Sequence, residues 1–478
     1  MSGLTALVGA GGRQALELLL IGGILLGIRW MGAPRTAVRG NRLSACCLAG
    51  FILLALAGEG LLVSGWAWGA LALGGGLGLA LGRRVRMIQM PELVALLNGL
   101  GGAASAVVAW MELAVPGAAA AAGPRAAAGL GLVIGAATLG GSLVAGAKLA
   151  RWLRPTPMRL AGWPAIQGMA WLLIVAGLAG TGVLAGPRAA LLAALVGVLA
   201  LGTGAGTVWR VGGADMPVCI SLLNALSGVA AAFAGFALGQ FALVAVGGIV
   251  GASGLMLTQI MCRAMNRHLG DILAGRTTAS AVSAPRSAPD AQPEREPAAV
   301  PVPLREETGG LPAAAAALRA ASRIVLVPGY GMAVAQAQEA VKTLADRLEQ
   351  AGKELCFAIH PVAGRMPGHM HVLLAEVQIP YEKFVEIEEA NRRLPTADAV
   401  VVVGANDVIN PAANTAEGTP IYGMPILDAA AAGTVIICNL NAAPGYAGVP
   451  NPLYGRAGTI LLFGDARQTV SDLAAALA

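Results

Sequence analysis

The chain has little charge and few aromatic residues for its length. Of its 478 residues, 12% are Asp, Glu, Lys or Arg, whereas soluble proteins average about 25%. Aromatic residues make up only 4%, so Ala, Leu, Val and Gly supply most of the 56% that are hydrophobic. Small residues of this kind, including 67 glycines, suit membrane helices whose backbones pack closely. The composition therefore argues against a soluble globular protein and for a membrane protein.

Cysteine is scarce, and no pair has metal-ligand spacing. Four of the six lie in or beside apolar segments, so we interpret all of them as free thiols in a reducing setting; they are Cys46, Cys47, Cys219, Cys262, Cys356 and Cys438. The first apolar segment lacks a basic leader and a convincing cleavage site, so no cleavable signal peptide is expected.

Nine apolar segments dominate residues 1–274 and predict a polytopic α-helical membrane domain of about nine transmembrane helices. Each approaches the ~20 residues that cross a hydrocarbon layer of ~30 Å. The segments lie near residues 8–29, 43–60, 63–82, 90–110, 128–149, 163–183, 189–208, 216–236 and 241–262.

Basic residues are distributed unequally between the two sets of connecting loops. One set contains Arg13, Arg125 and Arg188. The other contains fourteen cations: Arg29, Arg35, Arg39, Arg42, Arg83, Arg84, Arg86, Lys148, Arg151, Arg154, Arg159, Arg210, Arg263 and Arg267. Since cytoplasmic loops are enriched in Lys and Arg, the C-terminal part is predicted to be cytoplasmic and the N-terminus to lie outside. The net charge of +6 thus reflects membrane topology and does not indicate nucleic-acid binding.

An internal repeat is visible within the apolar half. Met-Pro-Glu-Leu-Val-Ala-Leu-Leu-Asn-Gly-Leu-Gly-Gly-Ala-Ala at 90–104 and Met-Pro-Val-Cys-Ile-Ser-Leu-Leu-Asn-Ala-Leu-Ser-Gly-Val-Ala at 216–230 are identical at eight of fifteen positions. Both copies enter their span from the same side, which predicts a parallel structural repeat of the kind that transporters use.

Small polar residues line one face of each repeat span. Asn98 and Ser105 share a helical face in the first copy, as Ser221 and Asn224 do in the second. The two faces could line a proton or ion path. They could equally be hydrogen-bonding contacts between helices, worth about 0.6 kcal/mol on average.

No His, Asp, Glu or Lys is expected deep within the membrane spans, because the nearest ones lie at span ends: Glu59, Glu92, Glu112, Lys148 and Asp215. Asp215, in Gly-Gly-Ala-Asp-Met-Pro at 212–217, is the best candidate for a titrating group at the rim. Its other interpretation is a helix N-cap, a common role for Asp before a helix.

The C-terminal part has a different pattern. Residues 275–312 are rich in Ala, Pro, Arg, Ser and Glu and predict a flexible linker. Residues 313–478 then alternate strands with helices, which predicts a parallel α/β domain. The predicted strands are 323–327, 355–359, 399–403, 435–438 and 459–463, and the predicted helices are 332–351, 381–392 and one around 426–432.

Loops after four of these strands carry Gly, Pro and polar residues, as ligand loops of open α/β sheets do. The first, Gly329-Tyr330-Gly331, has Val334 where a dinucleotide fingerprint has a third Gly or Ala. The second strand ends without the acid of an ordinary NAD site, and Arg365 follows it instead. The three nearby histidines lack a carboxylate or cysteine partner set, so no metal is predicted.

Four motifs carry a resemblance to a known family. They are Pro-Gly-Tyr-Gly-Met-Ala-Val-Ala-Gln-Ala-Gln (328–338), His-Pro-Val-Ala-Gly-Arg-Met-Pro-Gly-His-Met (360–370), Gly-Ala-Asn-Asp-Val-Ile-Asn-Pro-Ala-Ala (404–413) and Gly-Tyr-Ala-Gly-Val-Pro-Asn-Pro-Leu (445–453). The chain resembles the beta subunit of the proton-translocating NAD(P) transhydrogenase along its whole length apart from the linker.

The resemblance implies a Rossmann-like domain that binds NADP(H) and membrane helices that conduct protons. A separate alpha subunit would bind NAD(H) and supply further membrane helices, within a dimer of alpha-beta units in the bacterial inner membrane. Hydride would pass from NADH to NADP+ as a proton moves inward, in an enzyme of the Si-specific/Re-side-specific type.

The resemblance also implies roles for particular residues. Asp407 is similar to an acid tied to coupling, and Asp215 to an acid where the membrane and nucleotide domains join. The positions matching the family's cofactor loops are Gly329, Tyr330, Gly331, Met332, Ala333, Val334, Ala363, Gly364, Arg365, Gly404, Ala405, Asn406, Asp407, Gly445 and Tyr446.

Two departures from the family pattern stand out. Asn439, Leu440 and Asn441 replace a Lys-Arg-Ser that reads the 2′-phosphate of NADP, so either Arg365 or another base substitutes or discrimination against NAD(H) is weakened. Asn98 stands where many relatives have His, so the titrating His is expected on the alpha-side membrane piece.

The alternative function is an ion transporter whose cytoplasmic domain only senses nucleotide.

Overall fold

The computed structural model describes most of the chain. The described residues are 9–85, 89–114, 122–154, 158, 162–184, 186–265, 267–275, 310–364, 368–417, 419, 421–445 and 447–477. Two predicted cofactor residues, Arg365 and Tyr446, lie outside them, as does most of the predicted linker 275–312.

Among the described residues, nine helices are long and apolar enough to cross a membrane, which confirms the predicted number. We label them α1 (Gly9–Met31), α2 (Pro34–Gly58), α3 (Gly65–Arg84), α4 (Met90–Ala114), α5 (Ala122–Leu149), α6 (Trp163–Val183), α7 (Pro187–Trp209), α8 (Met216–Ala237) and α9 (Phe241–Ala264). A short helix, α10 (Leu269–Leu273), follows α9.

The sequence repeat is also a repeat of packing. The helix pair α4/α5 has the same kind of close contacts as the pair α8/α9. The contact residues of α4 and α8 are equivalent positions of the sequence repeat. A Cβ on Gly135 would lie 2.9 Å from the Ala106 nitrogen, and a Cβ on Gly247 would lie 2.6 Å from the Ala232 nitrogen. Small residues let these backbones approach, so both copies use the same packing solution.

By its contacts the chain divides into two compact units. The first contains α1–α4, α6 and most of α5, α7, α8 and α9. The second contains the C-terminal ends of α5, α7 and α9, the first residues of α8, and everything from residue 255 onward.

The C-terminal domain is built on a six-stranded parallel sheet. Its strands are β1 (Arg323–Pro328), β2 (Glu354–Ile359), β3 (Phe384–Glu386), β4 (Ala399–Val403), β5 (Thr434–Asn439) and β6 (Thr459–Phe463). They pair in the order β3-β2-β1-β4-β5-β6, which is the strand order of the doubly wound Rossmann fold. The switch in direction falls between β1 and β4, where such sheets bind ligands.

Buried apolar runs explain why these strands form. All five residues of β4 are buried, as are the last five of β1, as expected for a parallel sheet covered on both faces. The covering helices are α11 (Gly310–Ala320), α12 (Tyr330–Val334), α13 (Gln338–Gln350), α14 (His369–Glu376), α15 (Ile387–Arg393), α16 (Ala412–Thr415) and α17 (Ala466–Ala476).

Three helix predictions in this domain were wrong in detail. The predicted helix 332–351 is two helices, α12 and α13, because the chain turns at Gln336, whose φ is 51°. The predicted helix 381–392 begins instead with a 3-10 turn and the short strand β3, and only α15 is helical. Around 426–432 the structure has only a 3-10 turn, Ala429–Ala431.

Candidate functional site

Four loops meet at one edge of the sheet. They follow β2, β1, β4 and β5, which are neighbouring strands, and the carboxyl ends of parallel strands lie at the same edge. The described cofactor residues predicted from sequence all lie in or directly after these loops, at 329–334, 363–364, 404–407 and 445. The fold therefore brings the predicted set together.

Glycines let the first and third loops touch backbone to backbone. Gly331 donates its N–H to the Gly404 carbonyl at 2.8 Å, and Gly329 donates to the Val403 carbonyl at the same distance. A Cβ on Gly329 would lie 2.5 Å from the Ala405 Cα, and one on Gly331 would lie 2.7 Å from the Gly404 Cα. Gly404 also has a φ of 69°, which side chains other than glycine rarely adopt. Any side chain here would push the two loops apart.

The loop after β4 holds the loop after β5 through polar side chains. The Asp407 carboxylate accepts the Ala447 N–H at 3.0 Å, and a Cβ on Gly445 would lie 2.5 Å from the Asp407 Oδ1. Asn406 donates its amide to the Ala443 carbonyl at 3.0 Å. Residues 443–451, which we call the lid segment, are thus fixed by a carboxylate and an amide of the neighbouring loop.

Two further asparagines extend the same attachment. Asn451 donates to the Asn406 Oδ1 at 3.0 Å, while its own Oδ1 accepts the Leu453 N–H. Asn410, fully buried, donates to the Val449 and Pro450 carbonyls at 3.4 and 3.3 Å. Sequence reasoning did not identify Asn410 and Asn451 as site residues, although both lie inside the quoted motifs.

The three residues that depart from the family pattern have different environments. Asn439 is buried and donates to the Ala405 carbonyl at 2.9 Å and the Tyr454 hydroxyl at 2.8 Å, whereas its Oδ1 is buried without a partner among the described residues. Asn441 only accepts the nearby Ala443 N–H. Leu440 is 73% exposed. This short segment therefore has a structural asparagine, an exposed apolar side chain and no charge.

His360, directly after β2, is 1% exposed and connects two loops. Its Nδ1 accepts the Val362 N–H at 3.3 Å, and its Nε2 lies 2.8 Å from the Pro425 carbonyl. Since a carbonyl only accepts, Nε2 carries the proton and the ring is neutral. Burial lowers the pKa of His360 to about 4, against the opposing effect of the Pro425 carbonyl.

The second histidine of this region, His369, begins α14 and packs against the loop glycine Gly364. Its ring centroid lies 6.4 Å from that of Tyr330 in the first loop. Among the described residues, no three His, Cys, Asp or Glu side chains are grouped so that they could hold a metal ion.

Asp215 belongs to a buried ion pair at the start of α8. Its Oδ2 lies 3.4 Å from Nη2 of Arg267, and both side chains are largely buried. Burial raises the pKa of Asp215, and the Arg267 guanidinium opposes that rise. Asp215 directly precedes α8 and ends a 3-10 turn, Gly213–Asp215, that continues into the helix, so its role as an N-cap stays a prediction beside that of a titrating group at the rim.

The two repeat helices approach each other at one pair of small residues. Gly101 of α4 lies against Ser227 of α8, with 3.8 Å between the Ser227 Cβ and a Cβ built on Gly101. Asn98 and Ser105 are buried, and Asn224 is half-buried. Ser105 donates to the Gly101 carbonyl, and Ser221 accepts from Thr258 at 3.0 Å.

Sequence reasoning overlooked one acid within a span, Glu17 of α1, whose Oε1 lies 3.1 Å from Nε of Arg13.

Fold and site together define a class: a membrane protein with nine apolar helices in the part of the chain that the structure describes, and a C-terminal Rossmann-type domain whose strand-end loops meet at one edge of the sheet. Comparison with known proteins specifies it further. The sequence model of the family described as NAD(P) transhydrogenase beta subunit matches residues 13–476. The NAD(P) transhydrogenase subunit beta of Rhodospirillum rubrum is 40% identical over 468 residues, which cover 96% of this chain and 98% of that protein. The same figures hold for the subunit of Rhodospirillum rubrum strain ATCC 11170. The chain belongs to the family of NAD(P) transhydrogenase beta subunits.

Proposed function

We propose that this chain binds NADP(H) in its C-terminal domain, while a partner alpha subunit binds NAD(H) and adds further membrane helices. Hydride passes from NADH to NADP+, in the Si-specific/Re-side-specific sense, and a proton moves inward through the helices of the repeat. The working form is a dimer of alpha-beta units in the bacterial inner membrane. The C-terminal domain faces the cytoplasm, which is supported by the excess of basic residues in one set of loops.

One observation carries the nucleotide assignment: four loops at the switch point of a Rossmann-order sheet form a continuous cradle. Glycine at 329, 331 and 404 lets the loops after β1 and β4 lie in backbone contact, because a Cβ at each would meet the backbone of the opposite loop. Dinucleotides bind beside glycine loops at this switch point of doubly wound sheets. The bound NADP(H) supplies the hydride chemistry, so the residues of this chain hold and orient it and exclude water.

The loops divide this work between them. Residues 329–334 and 404–406 would hold the dinucleotide along the switch point, and Ala363, Gly364 and Arg365 would complete the side next to β2. The lid segment, with Gly445 and Tyr446, would cover it. Asp407, which fixes the lid through Ala447, would report the state of the cofactor to the rest of the domain.

Recognition of the 2′-phosphate is the part of the site that fits least well. Residues 439–441 have no charge, and a guanidinium or ammonium paired with phosphate is among the stronger polar contacts. We therefore propose that Arg365 supplies the cation, and that discrimination between NADP(H) and NAD(H) is weaker than in a site with a Lys-Arg pair.

In the membrane part, the proton path would run between α4 and α8, where Gly101 and Ser227 meet. Asn98, Ser105, Ser221 and Asn224 line its faces and do not titrate in a useful range. Asp215 does titrate, and its buried pairing with Arg267 allows protonation to change a local charge balance. The partner subunit would contribute the titrating His.

The nucleotide assignment is tested by titrating a fragment of residues 305–478, which includes all of α11, with NADPH and NADH under identical conditions. Tighter binding of NADPH supports the assignment, and tighter binding of NADH contradicts it. Gly404→Ala is the site variant, because it should abolish binding of both nucleotides. Gly352→Ala is the matched control: Gly352 also has a positive φ, 74°, but open space around it, so this variant carries a similar backbone strain and should retain both nucleotides.

Coupling is tested in proteoliposomes that contain this chain and its alpha subunit. Reduction of an NADP analogue by NADH should acidify or alkalinise the lumen according to orientation, and an imposed proton gradient should change the rate. Hydride transfer that is indifferent to the gradient would contradict proton coupling.

A further inference from the structure

A buried lysine outside the proposed path closes the C-terminal end of α7. Lys148, on α5, is only 2% exposed. Its Nζ lies 3.4, 2.6 and 2.8 Å from the carbonyl oxygens of Val208, Trp209 and Val211. An ammonium group has three N–H donors, so each donor has its own carbonyl. The last carbonyls of a helix have no partner within the helix, and a cation there also interacts favourably with the helix dipole.

The capped segment leads directly to Asp215. Val211 is followed by Gly212 and the 3-10 turn Gly213–Asp215, whose last N–H bonds to the Gly212 carbonyl at 3.1 Å. The residues on either side of the turn, Val211 and Met216, are 0% and 1% exposed. Because this segment is short and buried, a shift of its first residue should also shift its last residue.

The same segment is attached to the part of the chain that leaves the membrane helices. Arg210 donates to the Ala274 carbonyl just after α10, and Asp215 pairs with Arg267 just before α10. Residues 208–215 therefore hold both ends of α10, while Lys148 holds residues 208–211 from the other side.

We propose that Lys148 is a positioning residue for the Asp215–Arg267 pair. It fixes residues 208–215 against α5, which belongs to the first copy of the repeat, and thereby sets the position of an acid that begins the second copy. This inference rests on the proposed function, in which Asp215 takes part in proton coupling.

Several charged and titratable groups surround Asp215, and the experiment must separate their effects from that of Lys148. Arg267 faces it from the segment after α9, Cys262 from α9 itself and Cys219 from α8, and Lys148 interacts with Cys219 from α5. Replacing Lys148 removes a cation and also its three hydrogen bonds to the Val208, Trp209 and Val211 carbonyls. Variants that keep N–H donors distinguish these effects from a general loss of structure.

The matched control lies on the same helix. Arg125, near the N-terminal end of α5, donates to the Thr181 and Leu184 carbonyls at the C-terminal end of α6. It caps a helix as Lys148 does, but lies about 35 Å away along α5, given a rise of about 1.5 Å per residue. Arg125→Met should therefore lower thermal stability without changing anything at Asp215.

The experiment uses the complex of this chain with its alpha subunit in proteoliposomes and compares Lys148→Met, Lys148→Gln, Lys148→Arg and Arg125→Met. For Lys148→Met we expect at least a tenfold loss of gradient-coupled hydride transfer. The acid limb of its pH profile should move to lower pH, since water reaching a loosened Asp215 returns its pKa toward the ordinary carboxyl range. Lys148→Arg should keep the acid limb at its wild-type position, and Arg125→Met should leave it unchanged. Lys148→Gln should place the acid limb between those of wild type and Lys148→Met.

Two further measurements complete the test. In an Asp215→Asn background, Lys148→Met should cause no additional loss of coupled rate, because the lysine acts through the acid. Amide hydrogen exchange at residues 208–216 should quicken in Lys148→Met and Lys148→Gln but not in Arg125→Met.

An unchanged pH limb together with unchanged exchange at 208–216 would overturn the inference, as would additive losses in the double variant. If Lys148→Met does not fold, Lys148→Gln decides by the same two readouts. A wild-type complex without gradient-coupled transfer would instead count against the proposed function, and the exchange measurement would still decide whether Lys148 fixes the segment.

Discussion

Gly101 and Ser227 occupy the same position in the two copies of the repeat, and they contact each other, with 3.8 Å between the Ser227 Cβ and a Cβ built on Gly101. The two helices of the repeat therefore approach each other at equivalent positions of the sequence repeat.

The neighbouring glycines Gly101 and Gly102 should respond very differently to the same substitution. In Gly101→Ala the new methyl meets only Ser227 at ordinary contact distance, and alanine favours a helix over glycine by roughly 1 kcal/mol. In Gly102→Ala the methyl would lie 2.7 Å from the Gly135 carbonyl and 2.9 Å from the Thr138 Cβ, so α4 and α5 must separate. We expect the first variant to match or exceed wild-type thermal stability and the second to lose about 5 °C or more, since a core clash costs several kcal/mol in a chain of this size. Equal stability of the two would contradict the packing described.

Loosening the lid should accelerate nucleotide release. Asp407→Ala removes the acceptor of the Ala447 N–H, and charge-assisted hydrogen bonds contribute about 1.5–3 kcal/mol. We expect the dissociation rate of NADPH from the 305–478 fragment to rise about tenfold or more, measured by stopped-flow fluorescence. Asn441→Ala is the control, since among the described residues its side chain bonds within its own turn, to the Ala443 N–H; a comparable rise there would show that the lid is not held by Asp407.

Adding a cation at Leu440 should sharpen cofactor choice. Its side chain is 73% exposed, so Leu440→Arg costs little stability and places a guanidinium next to β5. If the 2′-phosphate lies there, the ratio of NADH to NADPH dissociation constants should increase about tenfold, as expected for a new phosphate contact. Asn439→Lys should instead destabilise the domain by about 1–3 kcal/mol, because it removes the buried bonds to Ala405 and Tyr454. No change in the ratio for Leu440→Arg would place the phosphate elsewhere.

His360 should make the C-terminal domain sensitive to mild acid. Its pKa is about 4 in the folded domain and about 6.5 when unfolded, so the unfolded state takes up the proton first. The contribution of neutral His360 is fully present above pH 6.5 and is lost as the pH falls toward 4, to an extent of about 3 kcal/mol.

Urea unfolding of the 305–478 fragment at pH 7.5, 6, 5 and 4 measures this loss, and His360→Gln should remove most of the dependence. A smaller slope should persist, because burial also lowers the pKa of His371 while Glu386 opposes it. An unchanged slope in His360→Gln would show that another group titrates.

The sequence predicted those parts of the fold that depend on local pattern. Five of the six strands were predicted within one residue or so of their observed ends, because each contains a run of mostly buried apolar residues. The missing strand, β3, has only three residues and forms through its parallel pairing with Phe357, Ala358 and Ile359 of β2. Nothing in Phe384–Glu386 alone distinguishes it from a helix start.

For the site, sequence motifs predicted the loops but not their attachment to one another. The Asp407 and Asn406 contacts with the lid segment join residues about forty positions apart, and no local pattern indicates which backbone group a loop asparagine will reach. Lys148 shows the same limit: from sequence it is one of fourteen cations in the basic loops, and only its three carbonyl partners separate it from the others.

In the proposed function, the hydrogen bonds between the loop after β4 and the lid segment determine how the cofactor leaves. The loop after β4 and the lid segment are joined by four side chains, those of Asn406, Asp407, Asn410 and Asn451. Detaching one end of the lid segment therefore leaves the remaining bonds in place. Release of the cofactor then requires these bonds to break together, as an all-or-none event with a single barrier. A cofactor that is oxidised or reduced while the lid segment is attached stays bound until that barrier is crossed.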